Sequence, residues 1–446
     1  MLFRSNLAEF QAATDPTVPN TWNLSEGATG FFRERIAVAN PGTEPADITV
    51  TYLRESGAPI VRTYSVVGLG RLTIDVNDVA GLGSAAVSAV VTATRGAVVV
   101  ERTMSWNDQT GMFYGGHTGK GIAKARTEWF LAEGDANFFE TFILLANAGG
   151  TPATVNLQYL LTNGTTVPQT LTVGANSRFT ILTNSVAGLA GQAFSTKITS
   201  NVPITVERAM YFGSNVRTFN GGHEAAAVPS AATSWFVAEG TTAGFFDMFL
   251  LLANPGTSAV TATIKFLKLD GSVISQTVPL AATSRTTISV DTIAGLENTD
   301  VSASITATGP IVVERSMFWP TPFTSWHESH NSAGVTATGT RLALAEGELG
   351  GALNFQTFIL FANPNSTDAT VTMTFLRASG APIAQTFRVP ANSRVTRSAG
   401  EFALQGQRFG ILATSSVPIA LERAMYWDAL GETFSAGTNE TAVTLK

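Results

Sequence analysis

The stretch VVVERTMSW, Val98 to Trp106, decides how this chain is organised, because it returns three times. It reappears as ITVERAMYF at Ile204–Phe212, IVVERSMFW at Ile311–Trp319 and IALERAMYW at Ile419–Trp427. Its glutamates are Glu101, Glu207, Glu314 and Glu422, in steps of 106, 107 and 108 residues. Three further markers keep the same beat. A Glu-Gly pair begins at Glu26, Glu133, Glu239 and Glu346; a strand-ending Ala-Asn stands at Asn40, Asn147, Asn254 and Asn363; and an arginine opens a strand at Arg71, Arg178, Arg285 and Arg394. Internal repetition at a fixed period sets architecture before any single residue does.

A period of about 107 residues is too long for ankyrin, leucine-rich or propeller-blade units and matches one β-sandwich of the immunoglobulin kind. Within the third copy, Val260–Phe266 alternates apolar and polar, the mark of a half-buried strand. Each such strand runs into a turn, at Asp270-Gly271, Asn163-Gly164, Ser56-Gly57 or Ser379-Gly380. Asn-Gly and Asp-Gly favour the left-handed backbone of tight hairpins. In that copy the pattern predicts strands near 234–238, 246–253, 259–267, 273–279, 285–290, 301–307 and 310–319, and nowhere does it sustain a helical period. The predicted fold is all-β: four tandem Ig-like β-sandwich modules in an elongated array. They occupy 21–126, 127–232, 233–339 and 340–446 (repeats 1 to 4), after an unmatched segment 1–20 expected to supply an added strand to a neighbour. The Gly- and Thr-rich end of each copy, such as Asn107–Thr127, is expected to be a short link between modules.

Composition bounds the function. The chain has 446 residues, 44% of them hydrophobic and only 13% charged, so low-hydrophobicity disorder is excluded. The net charge is −6 and the basic residues do not cluster, which argues against nucleic acid as a partner. There are no cysteines, so disulfides, thiolate metal sites and cysteine nucleophiles are excluded. No apolar run reaches the ~20 residues of a transmembrane helix, and Met1–Asn20 lacks the pattern of a signal peptide.

The phrases WFLAEG (Trp129–Gly134), LLANPG (Leu251–Gly256), PIVVERSMFW (Pro310–Trp319) and GGH (Gly115–His117) together resemble a β-sandwich module that occurs in tandem near the ends of large secreted or surface-anchored bacterial proteins. The resemblance covers nearly the whole chain from Trp22 onward. It implies a secreted or cell-surface setting and no reaction. The fourth copy departs from it, with Ala436-Gly437 where the others carry Gly-His or its counterpart.

The Glu-Arg pair is the strongest local signal. On an alternating strand Arg102 shares a face with Val100, Met104 and Trp106 while Glu101 points to the other. An arginine among such neighbours must find an anion, because a buried unpaired charge is costly. Structural ion pairs are therefore expected between Arg102, Arg208, Arg315 and Arg423 and the glutamates Glu26, Glu133, Glu239 and Glu346. A carboxylate-binding clamp is the competing reading, but recurrence in every copy favours a brace. His117, His223 and His330 fall at equivalent positions and His327 is extra; His327-Glu328-Ser329-His330 is one residue short of a zinc-protease motif and lacks its helix. No nucleophile elbow or phosphate-cradling loop occurs. Catalytic residues, metal ligands and cofactors are expected to be none. Aromatic residues near the connectors, namely Phe113, Tyr114, Phe219, Phe323, Trp326 and Phe434, are candidates for stacking on glycans or anchoring a partner; packing between modules is the alternative. The expectation is a non-enzymatic extracellular scaffold, structural or adhesive, that meets protein partners or self-assembles through edge strands. The runner-up is a carbohydrate-binding protein using the loop aromatics.

Overall fold

Turn chemistry and alternation translate directly into strands. In a computed structural model, which describes residues 19–107, 113–213, 219–320, 326–429 and 431–445, the chain is nearly all β-strand, arranged in several curled sheets. Phe323 and the segment before Pro19 lie outside the described residues. In repeat 1 the strands are β1 (Thr21–Leu24), β2 (Phe32–Asn40), β3 (Ala46–Arg54), β4 (Ile60–Val66), β5 (Gly70–Asp75), β6 (Val87–Arg95), β7 (Val99–Asn107) and β8 (Phe113–Lys120). One sheet has the order β1-β6-β3-β4, and β5-β2-β7-β8 run side by side in the other. The hairpin between β3 and β4 turns at Gly57, whose φ of 89° a side chain would strain.

The other repeats make the same pairings with one shared difference, and repeat 4 adds the short strands Glu348–Leu349 and Val443–Thr444 and a parallel bridge from Arg377 to Gly70 of repeat 1. The predicted strands 301–307 and 310–319 are a single strand, Val301–Trp319. Its first half pairs with Val260–Lys268 in one sheet and its second with Asp247–Asn254 in the other. Phe194–Phe212 and Gln407–Ala429 run through in the same way. Four large apolar clusters fill the molecule, each drawn mostly from one repeat: around Trp22, Val50 and Val91; Trp129, Leu157 and Ile198; Trp235, Ile264 and Ile305; and Phe361, Phe375 and Ile411.

The repeats do not extend into a rod, and here the expectation of an elongated array is corrected. The last strands, β8, Gly221–Ala226, Glu328–Ala333 and Glu432–Thr441, pack side by side in cyclic order, with Glu432–Thr441 returning to β8. Thr118 donates to Thr438 across that closing contact at 3.0 Å, and the Lys120 backbone N–H donates to Glu440 at 2.6 Å. Five smaller apolar clusters seal the joints, among them Ala37, Ala39 and Val99 of repeat 1 against Ala343, Leu376 and Leu412 of repeat 4. The physical reason lies where strand β7 begins. Val98, just before it, and Val100 face the repeat 1 core while Val99 faces repeat 4, so both faces of the chain are covered there. A strand apolar on both faces needs cover on both sides.

Candidate functional site

The residues that recur most strictly meet at these joints. Arg102, Arg208, Arg315 and Arg423 are all fully buried. Arg102 pairs with Glu26 at 2.8 Å, Arg208 with Glu133 at 3.1 Å and Arg315 with Glu239 at 2.8 Å, each within its own repeat. Each also reaches the Glu-Arg glutamate of the following repeat: Arg102–Glu207 and Arg208–Glu314 at 2.6 Å, Arg315–Glu422 at 2.8 Å. The series closes on itself, because Arg423 pairs with Glu101 of repeat 1 at 2.9 Å. The same four glutamates accept backbone N–H groups of the preceding repeat. Ser25 donates to Glu207, Ala132 to Glu314, Ala238 to Glu422 and Ala345 to Glu101, at 2.7 to 3.0 Å. Every glutamate thus spends one oxygen on a neighbour's backbone and the other on a neighbour's guanidinium.

The strand-opening arginines point the same way round. Arg178 reaches Ser88 and Glu55, Arg285 donates to the Gly134 carbonyl, Arg394 to the carbonyls of Gly240 and Val301, and Arg71 pairs with Glu346 at 2.8 Å. The fourth repeat therefore departs from the expected pairing. Glu346 goes to Arg71 rather than to Arg423, whose other partner is Thr438 at 3.0 Å. Thr438 stands where the other repeats carry His117, His223 and His330, opposite Met425 as those face Met104, Met210 and Met317.

The histidines are buried members of the network. His117 bonds the Tyr211 hydroxyl at 2.8 Å and His330 the Tyr426 hydroxyl at 3.0 Å, while His223 bonds Glu133 at 2.9 Å. Burial and then the charge of Arg102 hold His117 well below the usual imidazole range; burial and Arg315 do the same to His330. Burial would push Glu133 up, but His223 and then Arg208 outweigh it and bring it down to about 2. Elsewhere burial wins, with Glu101 and Glu239 raised to about 7. His327 is about half exposed and outside this network, 3.4 Å from Glu432.

Sequence reasoning missed the part played by Glu328, which is buried and reaches two other repeats. Its carboxylate accepts N–H groups from Gly116 of repeat 1 at 3.0 Å, Gly222 of repeat 2 at 2.7 Å and its own Ser329 at 2.9 Å. Burial drives it well above the carboxylate range. The place exists because repeats 1, 2 and 4 have Gly115, Gly221 and Ala436 at the equivalent position; a Cβ on Gly221 would lie 2.5 Å from the Glu328 backbone. Among the described residues, Glu26, His117 and Glu224 bring donor atoms close enough to hold an ion. Arg102 already stands in that group, 2.8 Å from Glu26 and 3.3 Å from Glu224, and supplies the positive charge.

The loop aromatics pack at the joints. Phe219 stacks on Tyr211 at 4.5 Å, Trp326 on Phe318 at 4.1 Å and Phe434 on Tyr426 at 4.8 Å within their own repeats, and each meets a ring of the preceding repeat, Phe31, Phe138 and Phe245, at 6.0 to 6.4 Å. Tyr114 is buried beside Trp106, and Phe113 is half-buried. Among the described residues the exposed aromatic rings are Phe31, Phe138, Phe179 and Phe245, 37 to 44% exposed. Phe31, Phe138 and Phe245 begin the Phe-Phe doublets that lead into the second strand of repeats 1 to 3, a recurrence the sequence carries openly.

These features define an all-β repeat protein whose charged motif joins its units into a closed ring. No family model matches the chain, and no curated protein matches it either. Among solved structures it is similar to Thermotoga maritima 1070, at 16% identity over 24% of this chain and 94% of that one, with a TM-score of 0.22. It is also similar to the Anabaena sensory rhodopsin transducer, at 31% identity over 18% and 92% (TM-score 0.17). A third similarity is to a tetra-tandem repeat in the extending region of a large adhesion protein, at 14% identity over 96% and 97% (TM-score 0.12). At these scores the similarities carry no inference about what the chain does.

Proposed function

We propose that the chain is a non-enzymatic scaffold, four Ig-like β-sandwiches closed into a ring, that presents its outer surface to partners in a secreted or cell-surface setting. The observation that carries this reading is where the recurring charges go. Each glutamate and arginine of the repeated motif is committed to holding one repeat against the next, and none is left converging on an open cleft. Buried ion-pair networks of this sort fix geometry rather than perform chemistry. The extracellular setting rests on the motif resemblance, and an adhesive role on the outward surface. There β4 and its equivalents Thr166–Val173, Val273–Leu280 and Ile383–Val389 form sheet edges able to pair with another strand. The exposed rings of Phe31, Phe138 and Phe245 favour a second reading, contact with glycans or an apolar partner on that rim.

The test is a panel of chromogenic ester, glycoside and phosphate substrates, run beside a glycan array on the intact chain and on a Phe31→Ser/Phe138→Ser/Phe245→Ser variant. No turnover is expected. Turnover abolished by Glu239→Gln would overturn the scaffold reading, and sugar binding lost in the triple variant would move the assignment to the second.

A further inference from the structure

Three of the four joints are plugged by the same pair of aromatic side chains, and the fourth is not. At the joint of repeats 1 and 2, Phe142 and Tyr211 lie 6.0 Å apart; at repeats 2 and 3 the pair is Phe249 and Phe318 at 5.8 Å, and at repeats 3 and 4 it is Phe358 and Tyr426 at 6.1 Å. Strand register identifies the residues at the same two places in repeat 1. Arg35 faces Thr103 as Phe142 faces Ala209, and Ser105 faces Gly116 as Tyr211 faces Gly222. Where repeat 4 meets repeat 1, two rings have thus become an arginine and a serine.

The space those rings would fill is open. A cavity of about 190 Å³ lies there, lined by Arg35 and Ser105 and by Phe113, Phe355, Met425 and Trp427, with Glu346, Glu348 and Arg408 also at its wall. An apolar cavity of about 150 Å³ accommodates a benzene, so this one admits a substituted six-membered ring. Phe113 is the loop aromatic equivalent to Phe219, Trp326 and Phe434, and across from it there is only a serine on which to stack.

Among the charges around the cavity Arg35 is the least firmly paired. Arg33 and Arg35 share Asp75 at 2.9 and 3.3 Å, Arg71 holds Glu346 at 2.8 Å and Arg408 holds Glu348 at 2.8 Å. Arg35 and Arg408 face Glu346 and Glu348 across the wall, and of the two guanidiniums Arg35 is the less firmly held: it shares Asp75 with Arg33, at 3.3 Å. At the homologous joint the Tyr211 hydroxyl donates to Glu26 at 2.9 Å. The equivalent acceptor here is Glu346, whose second oxygen is not engaged by Arg71. A ligand that restores what the joint lacks must bring a flat ring for Phe113, Phe355 and Trp427, a hydroxyl for Glu346 and one negative charge for Arg35.

We infer that this joint is a binding site for a small aromatic hydroxy-carboxylate, which takes the place of the missing tyrosine ring and pairs its carboxylate with Arg35. A charge-assisted guanidinium–carboxylate contact at the half-buried wall of the pocket fixes the orientation. This goes beyond the scaffold reading and does not depend on it, because the ring can be a scaffold with or without a ligand in its odd joint.

The experiment is calorimetric titration of the full chain with 4-hydroxybenzoate, with 4-hydroxybenzyl alcohol and glucuronate as comparators. The expected result is saturable binding of one molecule per chain, at least tenfold weaker for the neutral alcohol and for Arg35→Gln. Ser105→Tyr, which rebuilds the plug found at the joints holding Tyr211 and Tyr426, is expected to abolish binding while raising the melting temperature. The folding of both variants is checked by near-UV circular dichroism, and Arg35→Gln stands as the test if Ser105→Tyr does not fold. The inference is overturned by no saturable binding at millimolar ligand, by equal binding of the neutral alcohol, by unchanged binding in a folded Ser105→Tyr, or by a preference for glucuronate.

Discussion

Removing Glu101 tests the ring at its weakest clasp. The other three arginines of the motif each touch at least two glutamates, whereas among the described residues Arg423 has Glu101 as its single carboxylate partner and Thr438 beside it. In Glu101→Ala the fully buried Arg423 loses its counter-charge, and breaking a buried pair from one side costs about 3–5 kcal/mol. The Ala345 N–H, 2.7 Å from Glu101, also loses its acceptor, at about 1–3 kcal/mol. The two losses share one site and do not add fully, so a total of about 4–6 kcal/mol is expected. Urea unfolding followed by the fluorescence of the buried tryptophans reads it, since Trp22, Trp106, Trp129, Trp235, Trp319 and Trp427 report on all four repeats. The control is Asp47→Ala, which breaks the exposed Arg95–Asp47 pair and should leave the unfolding midpoint nearly unchanged. Adding Arg423→Met to a Glu101→Met background should recover most of the loss, because an apolar replacement of both partners leaves no orphan charge. If Glu101→Ala costs no more than Asp47→Ala, the ring closure argued above is wrong.

Stability should peak under mildly acidic conditions. Burial raises Glu34 to about 8 and Glu101 and Glu239 to about 7, so the folded state holds protons the unfolded state releases, and stability falls as pH climbs from about 4.5 to 8. Glu133, held at about 2, works oppositely and its contribution is lost as pH drops from 4.5 towards 2. A melting series from pH 3 to 9 checks this, and a maximum at pH 8 or above would refute it. Glu34→Thr installs the residue found at the equivalent positions Thr141 and Thr357 and removes a buried carboxyl whose oxygens have no hydrogen-bond partner. It should stabilise the protein by about 3 kcal/mol at pH 9 and by much less at pH 5. Trp326→Ala unstacks Phe318 at the joint of repeats 2 and 3 and should cost about 3 kcal/mol in denaturant unfolding. Gly221→Ala forces a methyl into the Glu328 backbone and should destabilise by about 1–3 kcal/mol, against little effect for Gly271→Ala beyond its turn strain.

Much of the fold was legible because period and alternation are local properties. The strand from Val260 to Lys268 and its glycine turn follow from residues within one repeat. Continuity through Gly309-Pro310 did not follow, since both residues read as breakers while the strand passes from one sheet to the other there. The ion pairs of Arg102, Arg208 and Arg315 were readable from a buried charge needing an anion. Their second partners were not, because a repeat period carries no information about how units sit against one another. One signal for the ring was present. Val98, Val99 and Val100 are apolar without alternation, which is the pattern of a strand covered on both faces and is at odds with units in a row. Arg35 and Ser105 went unnoticed because they matter only by contrast with Phe142 and Tyr211, a contrast that needs the register of the joint.

The closing clasp joins residues 322 positions apart in the chain. Each joint runs head to tail, repeat to next repeat, and such heterologous contacts end only when the last unit meets the first. Until repeat 4 has been synthesised and folded, repeat 1 displays an unsatisfied Glu101 face, and Arg423 meets it only at the end. A second chain offers that face the same complement. Weakening the clasp of the fourth repeat is therefore expected to let one chain close on another as well as on itself, which light scattering over a concentration series of Glu101→Ala checks.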